Sequence, residues 1–152
     1  MNASVNKAVE ITAALCREFE GLRLKPYLCP AGFPTIGYGT VYKPDGTTVT
    51  MKHPAISKEI AEEWLVHEIK NTYMPGVLKC SPHLIAHPET LAAMSDFAYN
   101  LGVARYKSST LRKRIDVMDW DGAKEQLMKW VRGDGKILPG LVRRRRSECE
   151  IF

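Results

Sequence analysis

The chain has 152 residues, a length that supports one domain with a real core and excludes multidomain machinery. Apolar residues at 45% and charged residues at 26% exclude a disordered chain or a membrane bundle. The net charge of +5 is uneven: residues 1–100 carry 9 basic and 10 acidic side chains, residues 101–152 carry 13 and 7, so the second part suits a polyanionic partner such as nucleic acid, an anionic envelope or an anionic polymer.

In chain order, Val5, Ala8, Val9, Thr12, Leu15, Cys16 and Phe19 recur at steps of three and four and predict an amphipathic helix over 5–20, stopped by Gly21. From Ala31 to Met51, glycines alternate with β-branched and aromatic residues around a Pro44-Asp45-Gly46 turn signal. A small sheet lobe is expected over about 24–54. Ser57 is a candidate N-cap for a connecting helix over about 57–78, which ends near Thr72 unless Pro75 only kinks it. Pro88 to Gly102 outlines a third helix through Leu91, Met94, Phe97, Ala98 and Leu101, and shorter helices are expected over 109–117, 121–131 and 139–151. The layout is α+β, with a small sheet lobe and a larger, basic helical lobe over about 88–152.

No stretch reaches the roughly 18 apolar residues of a membrane span, and Lys7 and Glu10 interrupt what would be a signal peptide's apolar region. Synthesis and retention in the cytosol are therefore expected. Cys16, Cys29, Cys80 and Cys149 are too sparse for a disulfide scaffold and read as thiols. Cys16, on the apolar face of the first helix, reads as core. Cys80, His83 and His87, with His67 as a fourth ligand, have a spacing that zinc accepts, but one cysteine in a proline-rich connector argues against it; no metal and no cofactor are expected.

Glu20 closes the first helix directly ahead of the glycine-rich region, which sets a carboxyl at the mouth of a cleft between sheet and helices. Beside an apolar wall such a group stays protonated near neutral pH, as a general acid requires. A solvated carboxylate at a helix end is the plainer reading of Glu20-Gly21 taken alone.

The surrounding pattern resembles the phage-type lysozymes, glycoside hydrolase family 24. Their signature is a glutamate, eight residues, an aspartate or less often a cysteine, five residues, then a threonine. Here Glu20, Cys29 and Thr35 stand at that spacing, within a frame of Gly21, Arg23, Tyr27, Gly32 and Thr35-Ile36-Gly37-Tyr38-Gly39. The segments Phe97 to Gly102 with Ser108 to Leu111, and Leu138 to Arg145, agree as well. The resemblance implies a lysozyme-like two-lobe fold as a single domain over 1–152, and hydrolysis of the β-1,4 bond between N-acetylmuramic acid and N-acetylglucosamine in peptidoglycan. Glu20 would be the acid, with Cys29 and Thr35 holding or activating water, and Tyr27, Gly37, Asn100 and Arg143 at the substrate. It also implies a phage endolysin, monomeric, made in the host cytoplasm and reaching the periplasm through a holin-type pore.

Two positions depart from the family: Cys29 stands where aspartate is commoner, and Thr40 where histidine often follows the Gly-Tyr-Gly run. Some cysteine members hold that thiol in a disulfide until an N-terminal membrane anchor is released, a control not expected to carry over to a chain without the anchor. Arg143 to Arg146 is either a solvated charge run, or one arginine, Arg143, turns toward Glu20 while the others meet anionic envelope. Two other classes fit the residues less well. A nucleic-acid module lacks a clear recognition helix or interleaved aromatics, and a cysteine hydrolase built on Cys29 is disfavoured by Pro30, which has no N–H for an oxyanion hole.

Overall fold

The computed structural model describes residues 2–152. Helix α1 spans Ala3–Glu20, with the Asn2 side chain accepting from Val5 N at 2.8 Å, and it ends at Gly21, whose φ of +70° other residues rarely adopt. Its apolar stripe, Ala8, Val9, Ala13 and Cys16, is buried, mainly against α4 (Pro88–Leu101). Residues 90–99 of α4 are all buried, so this helix has no solvent face and forms the axis of the helical lobe.

The sheet lobe is smaller than expected. Strands β1 (Arg23–Leu28) and β2 (Pro34–Gly37) pair antiparallel, Tyr27 opposite Thr35 and Leu28 opposite Pro34, with an irregularity between Arg23 and Tyr27. Beyond Gly37 only the single bridges Ile36–Thr40 and Tyr42–Thr48 remain. The glycines at 37, 39 and 46 all have positive φ and turn the chain before a longer ladder can form. The Pro44-Asp45-Gly46 turn is present, pinned by Asp45 accepting from Thr47 N at 2.9 Å.

Helix α2 (Lys58–Glu68) begins at Ser57, which accepts from Ile60 N at 3.1 Å. It runs through a π turn at Ile69–Tyr73 into α3 (Met74–Cys80). Pro75 therefore does not end the helical course: the wider turn just before it, with Met74 N bonded to Ile69 O, accommodates the residue without an N–H. Gly76 is where α3 touches the next lobe, since a Cβ there would lie 2.7 Å from Val103.

Past a 3-10 turn at Pro82–Ala86 and α4, helices α5 (Val103–Ser108), α6 (Thr110–Asp116) and α7 (Trp120–Leu127) follow, α6 and α7 capped by the Ser109 and Asp119 side chains. Helix α7 stops short of the expected Val131. After an irregular stretch over 128–131, a small hairpin follows, β3 (Arg132–Gly133) and β4 (Lys136–Ile137), turning at Asp134 and Gly135, both with positive φ. An Asp-Gly pair is the ordinary sequence signal for such a turn. Helix α8 (Pro139–Ile151) matches the expected span and returns to pack on α4 and α1. Among the described residues no helix is long and apolar enough to cross a membrane.

Candidate active site

The end of α1, the end of α4 and the first turns of α8 enclose a cavity of about 650 Å³, lined among others by Glu20, Asn100, Arg143 and Arg144. Glu20 is about one-fifth exposed, and its Oε2 accepts from Arg144 Nη1 at 3.2 Å. Burial raises its pKa first of all; the Arg144 guanidinium opposes this by charge and hydrogen bond, and the nearby Asp96 carboxylate adds to the rise. Gly39, with φ of +84°, brings the loop after β2 against this carboxyl, so that a Cβ would sit 3.7 Å from Glu20. Any larger residue there would be strained by that backbone conformation, and its Cβ would touch the acid at ordinary van der Waals distance.

Cys29 and Thr35 lie on the β1–β2 hairpin rather than in that cavity. Cys29 N donates to Phe33 O at 3.0 Å and Gly32 N to Cys29 O at 2.8 Å, closing a tight turn around a half-buried thiol. The Cys29 pKa is lowered, chiefly by the Phe33 amide; burial opposes this as the second-largest contribution, and the Thr35 hydroxyl and the Ala31 and Gly32 amides add to the lowering. No cation is among its causes. Arg23 instead stacks over the Tyr27 ring, 4.4 Å from its centroid. Thr35 is buried and donates to Phe33 O at 2.8 Å. Tyr27, opposite it, has its pKa raised by burial and then by Glu20, with Cys29 a lesser contributor, so the phenol senses both the acid and the thiol.

Several expected placements need correction. Arg144, not Arg143, turns toward Glu20; Arg143 is exposed and lines the cavity. The arginine run is not a solvated face, because Arg144 is 3% and Arg145 0% exposed. On a helix whose inner side meets α4, the two middle members of four consecutive residues turn inward and the outer two outward. That leaves no continuous basic helix face for nucleic acid. Gly37, expected at the substrate, has its Cβ position 3.4 Å from Ala61 on α2, so a side chain there would point into the packing between hairpin and helix. Asn100 does line the cavity, and its Oδ1 accepts from Arg145 Nη2 at 3.0 Å.

The zinc grouping does not assemble among the described residues. His83 Nε2 meets Ile115 O at 3.0 Å and His87 packs on Trp120. All four cysteines are thiols, and Cys16 is core as expected, although its Sγ also reaches Asp96 Oδ1 at 3.5 Å.

Sequence reasoning missed two groups. Asp96 on α4 takes a fork of two bonds from Arg144, Nε to Oδ2 at 2.9 Å and Nη2 to Oδ1 at 2.8 Å. A lone acid within an apolar helical repeat was the available signal. Glu68, at the head of the π turn, has its pKa pushed up to about 7, mainly by burial and in part by the Glu20 charge, with the Thr40 hydroxyl opposing. Thr40 Oγ1 and Glu68 Oε1 are both buried without a well-formed hydrogen bond.

Residues 17–148 match the model of the phage lysozyme family. An endolysin of Acyrthosiphon pisum secondary endosymbiont phage 1 is 33% identical, covering 91% of this chain and 92% of its own. A SAR-endolysin of Bacteriophage PS34 is 32% identical over 87% of this chain and 75% of its own. The solved endolysin of Escherichia coli O157:H7 phage FAHEc1 superposes with a TM-score of 0.79 at 31% identity, over 93% of this chain and 89% of that one. The Glu20 cleft, the hairpin beside it and the helical lobe thus sit in a fold shared with endolysins, and the chain belongs to the phage lysozyme family.

Proposed function

We propose that this phage lysozyme cleaves the β-1,4 bond between N-acetylmuramic acid and N-acetylglucosamine with Glu20 as general acid. The observation that carries the reading is the Glu20 carboxyl, largely withdrawn from water at the edge of the cavity, with its pKa raised by burial. In its protonated form it delivers its proton to the departing glycosidic oxygen. Cys29, its thiolate favoured by the Phe33 amide and the Thr35 hydroxyl, and Thr35 itself hold a water for the opposite face of the sugar. Separated groups of this kind leave room for the water between them and give inversion at the anomeric carbon. Asn100 and the exposed Arg143 meet the substrate from the helical side, and Tyr27 meets it from the hairpin.

The basic excess of residues 101–152 draws the enzyme, a monomer acting as an endolysin, to the anionic envelope. It is made in the host cytoplasm and acts on the wall in the periplasm after holin-type release. Two measurements test the reading: turbidity of chloroform-treated Gram-negative cells on adding the purified protein, and release of reducing sugar ends from purified peptidoglycan. Both signals are expected with wild type and neither with Glu20→Gln; turbidity loss without new reducing ends would mean a different bond is cut.

A further inference from the structure

Behind Glu20 lies a cluster of ionisable groups that the reaction does not use directly. Asp96 and Glu148 are fully buried, as is Arg145, and Arg144 is nearly so. Arg145 lies under the Phe97 ring, 5.2 Å from its centroid, and its Nη2 serves both Asn100 Oδ1 at 3.0 Å and Glu148 Oε2 at 2.9 Å. Its Nε sits 2.7 Å from Glu148 Oε1, but off the hydrogen-bond axis. Burial first, then the neighbouring Asp96, pushes the Glu148 pKa upward, against the Arg145 and Arg144 charges.

A guanidinium has five N–H donors in a rigid fork. Asp96 takes the side fork of Arg144, Nε and one N–H of Nη2, and this fixes the guanidinium plane so that of the three remaining N–H groups only one on Nη1 reaches Glu20, at 3.2 Å. Without Asp96 the guanidinium would be free to turn and close a two-bond fork on Glu20, and a fully paired Glu20 would be a poor acid. We propose that Asp96 is a positioning residue: by holding the side fork of Arg144 it fixes the orientation of that guanidinium and limits it to a single bond with Glu20.

Other groups also face Glu20. They are Cys16 on its own helix, Tyr27 on β1, Glu68 at the end of α2, Tyr73 in the π turn and Tyr99 on α4. The thiol and phenols are neutral in the working range. Glu68 is the one other group that ionises near neutrality, and it does so alike in variants at Asp96.

The inference rests on Glu20 being the acid, but its test does not need activity. Protein labelled with carbon-13 at glutamate carboxyls gives a Glu20 signal, identified by its loss in Glu20→Gln, whose midpoint is read against pH. In Asp96→Asn the midpoint should fall by about half a pH unit or more, and the alkaline limb of hydrolysis should fall with it, because the acid must be protonated to act. In Arg144→Lys, which keeps a charge for Asp96 but lacks the fork, the midpoint should rise instead. An unmoved Glu20 midpoint in whichever variant folds overturns the proposal. If Glu20→Gln retains activity, the catalytic reading falls while the titrations still decide the role of Asp96.

Discussion

Thr35 stands directly opposite Tyr27 across the β1–β2 ladder, and its hydroxyl is anchored on the Phe33 carbonyl at 2.8 Å. The same turn presents the Phe33 amide to the Cys29 sulfur, so one five-residue loop sets both groups assigned to the water. Thr35→Ala should remove the hydroxyl that supports thiol and water together. Hydrolysis is expected to fall by at least about tenfold, and the Cys29 titration, followed by absorbance of the thiolate, should move to higher pH.

Cys29→Asp should stay active, because a carboxylate is ionised at neutral pH and accepts a proton from water. Cys29→Ser should be much weaker, since a hydroxyl does not ionise in this range. Iodoacetamide should inactivate wild type, with mass spectrometry placing the label on Cys29, and leave the aspartate variant working. Full activity of the alkylated enzyme would make the sulfur a spectator.

Glu20→Gln should fold as wild type and lose hydrolysis by about 10² to 10⁴. The amide matches the carboxyl in shape, still accepts from Arg144, and has no proton of the required acidity to give. Retention of more than about a tenth of the rate would remove Glu20 from the chemistry.

Much of this site was legible before any coordinates. The 3.6-residue repeat of α1, the stop at Gly21 and the cap at Ser57 are local signals, and each element forms where they place it. What a linear reading misses are relationships across long separations. Which arginine of the run faces Glu20 depends on the rotation of α8 against α4, and a one-residue change in phase, about 100° of helix, exchanges Arg143 for Arg144. Asp96 is invisible for the same reason, because its partner lies 48 residues away. The β3–β4 hairpin was a different kind of miss: its Asp134-Gly135 turn is a local signal, outweighed by the helical pattern running into it.

Glu68 gives a stability test. Its pKa rises from about 4.5 in the unfolded chain to about 7 in the fold. Between those values the unfolded state releases its proton while the folded state keeps it, so stability falls as pH rises from about 4.5 to 7 and the cost is complete above that range. With partial exposure, about 3 kcal/mol is an upper limit. Glu68→Gln should therefore raise the melting temperature at pH 8 and change it little at pH 4. An equal gain at both values would show that burial of the charge is not the cause.

The exposed and buried arginines of α8 should separate experimentally. Arg143 and Arg146 are exposed, and replacing both by glutamine should flatten the fall of cell lysis with salt while leaving the melting temperature nearly unchanged. Arg145→Gln should instead destabilise by about 3 to 5 kcal/mol, because it strips a partner from a buried ion pair. Denaturant unfolding alongside lysis at two salt concentrations distinguishes the two effects.

Helix α1 finds its main packing surface on α4, which begins at Pro88. During translation the apolar stripe of Ala8, Val9, Ala13 and Cys16 therefore leaves the ribosome long before anything can cover it, while the sheet lobe and connecting helix are still being made. Over that interval the nascent chain offers a sticky amphipathic segment to chaperones or to its neighbours. Yield in an expressing cell should then depend on how quickly the next hundred residues emerge, a quantity set by codon choice and temperature and unrelated to the stability of the finished enzyme.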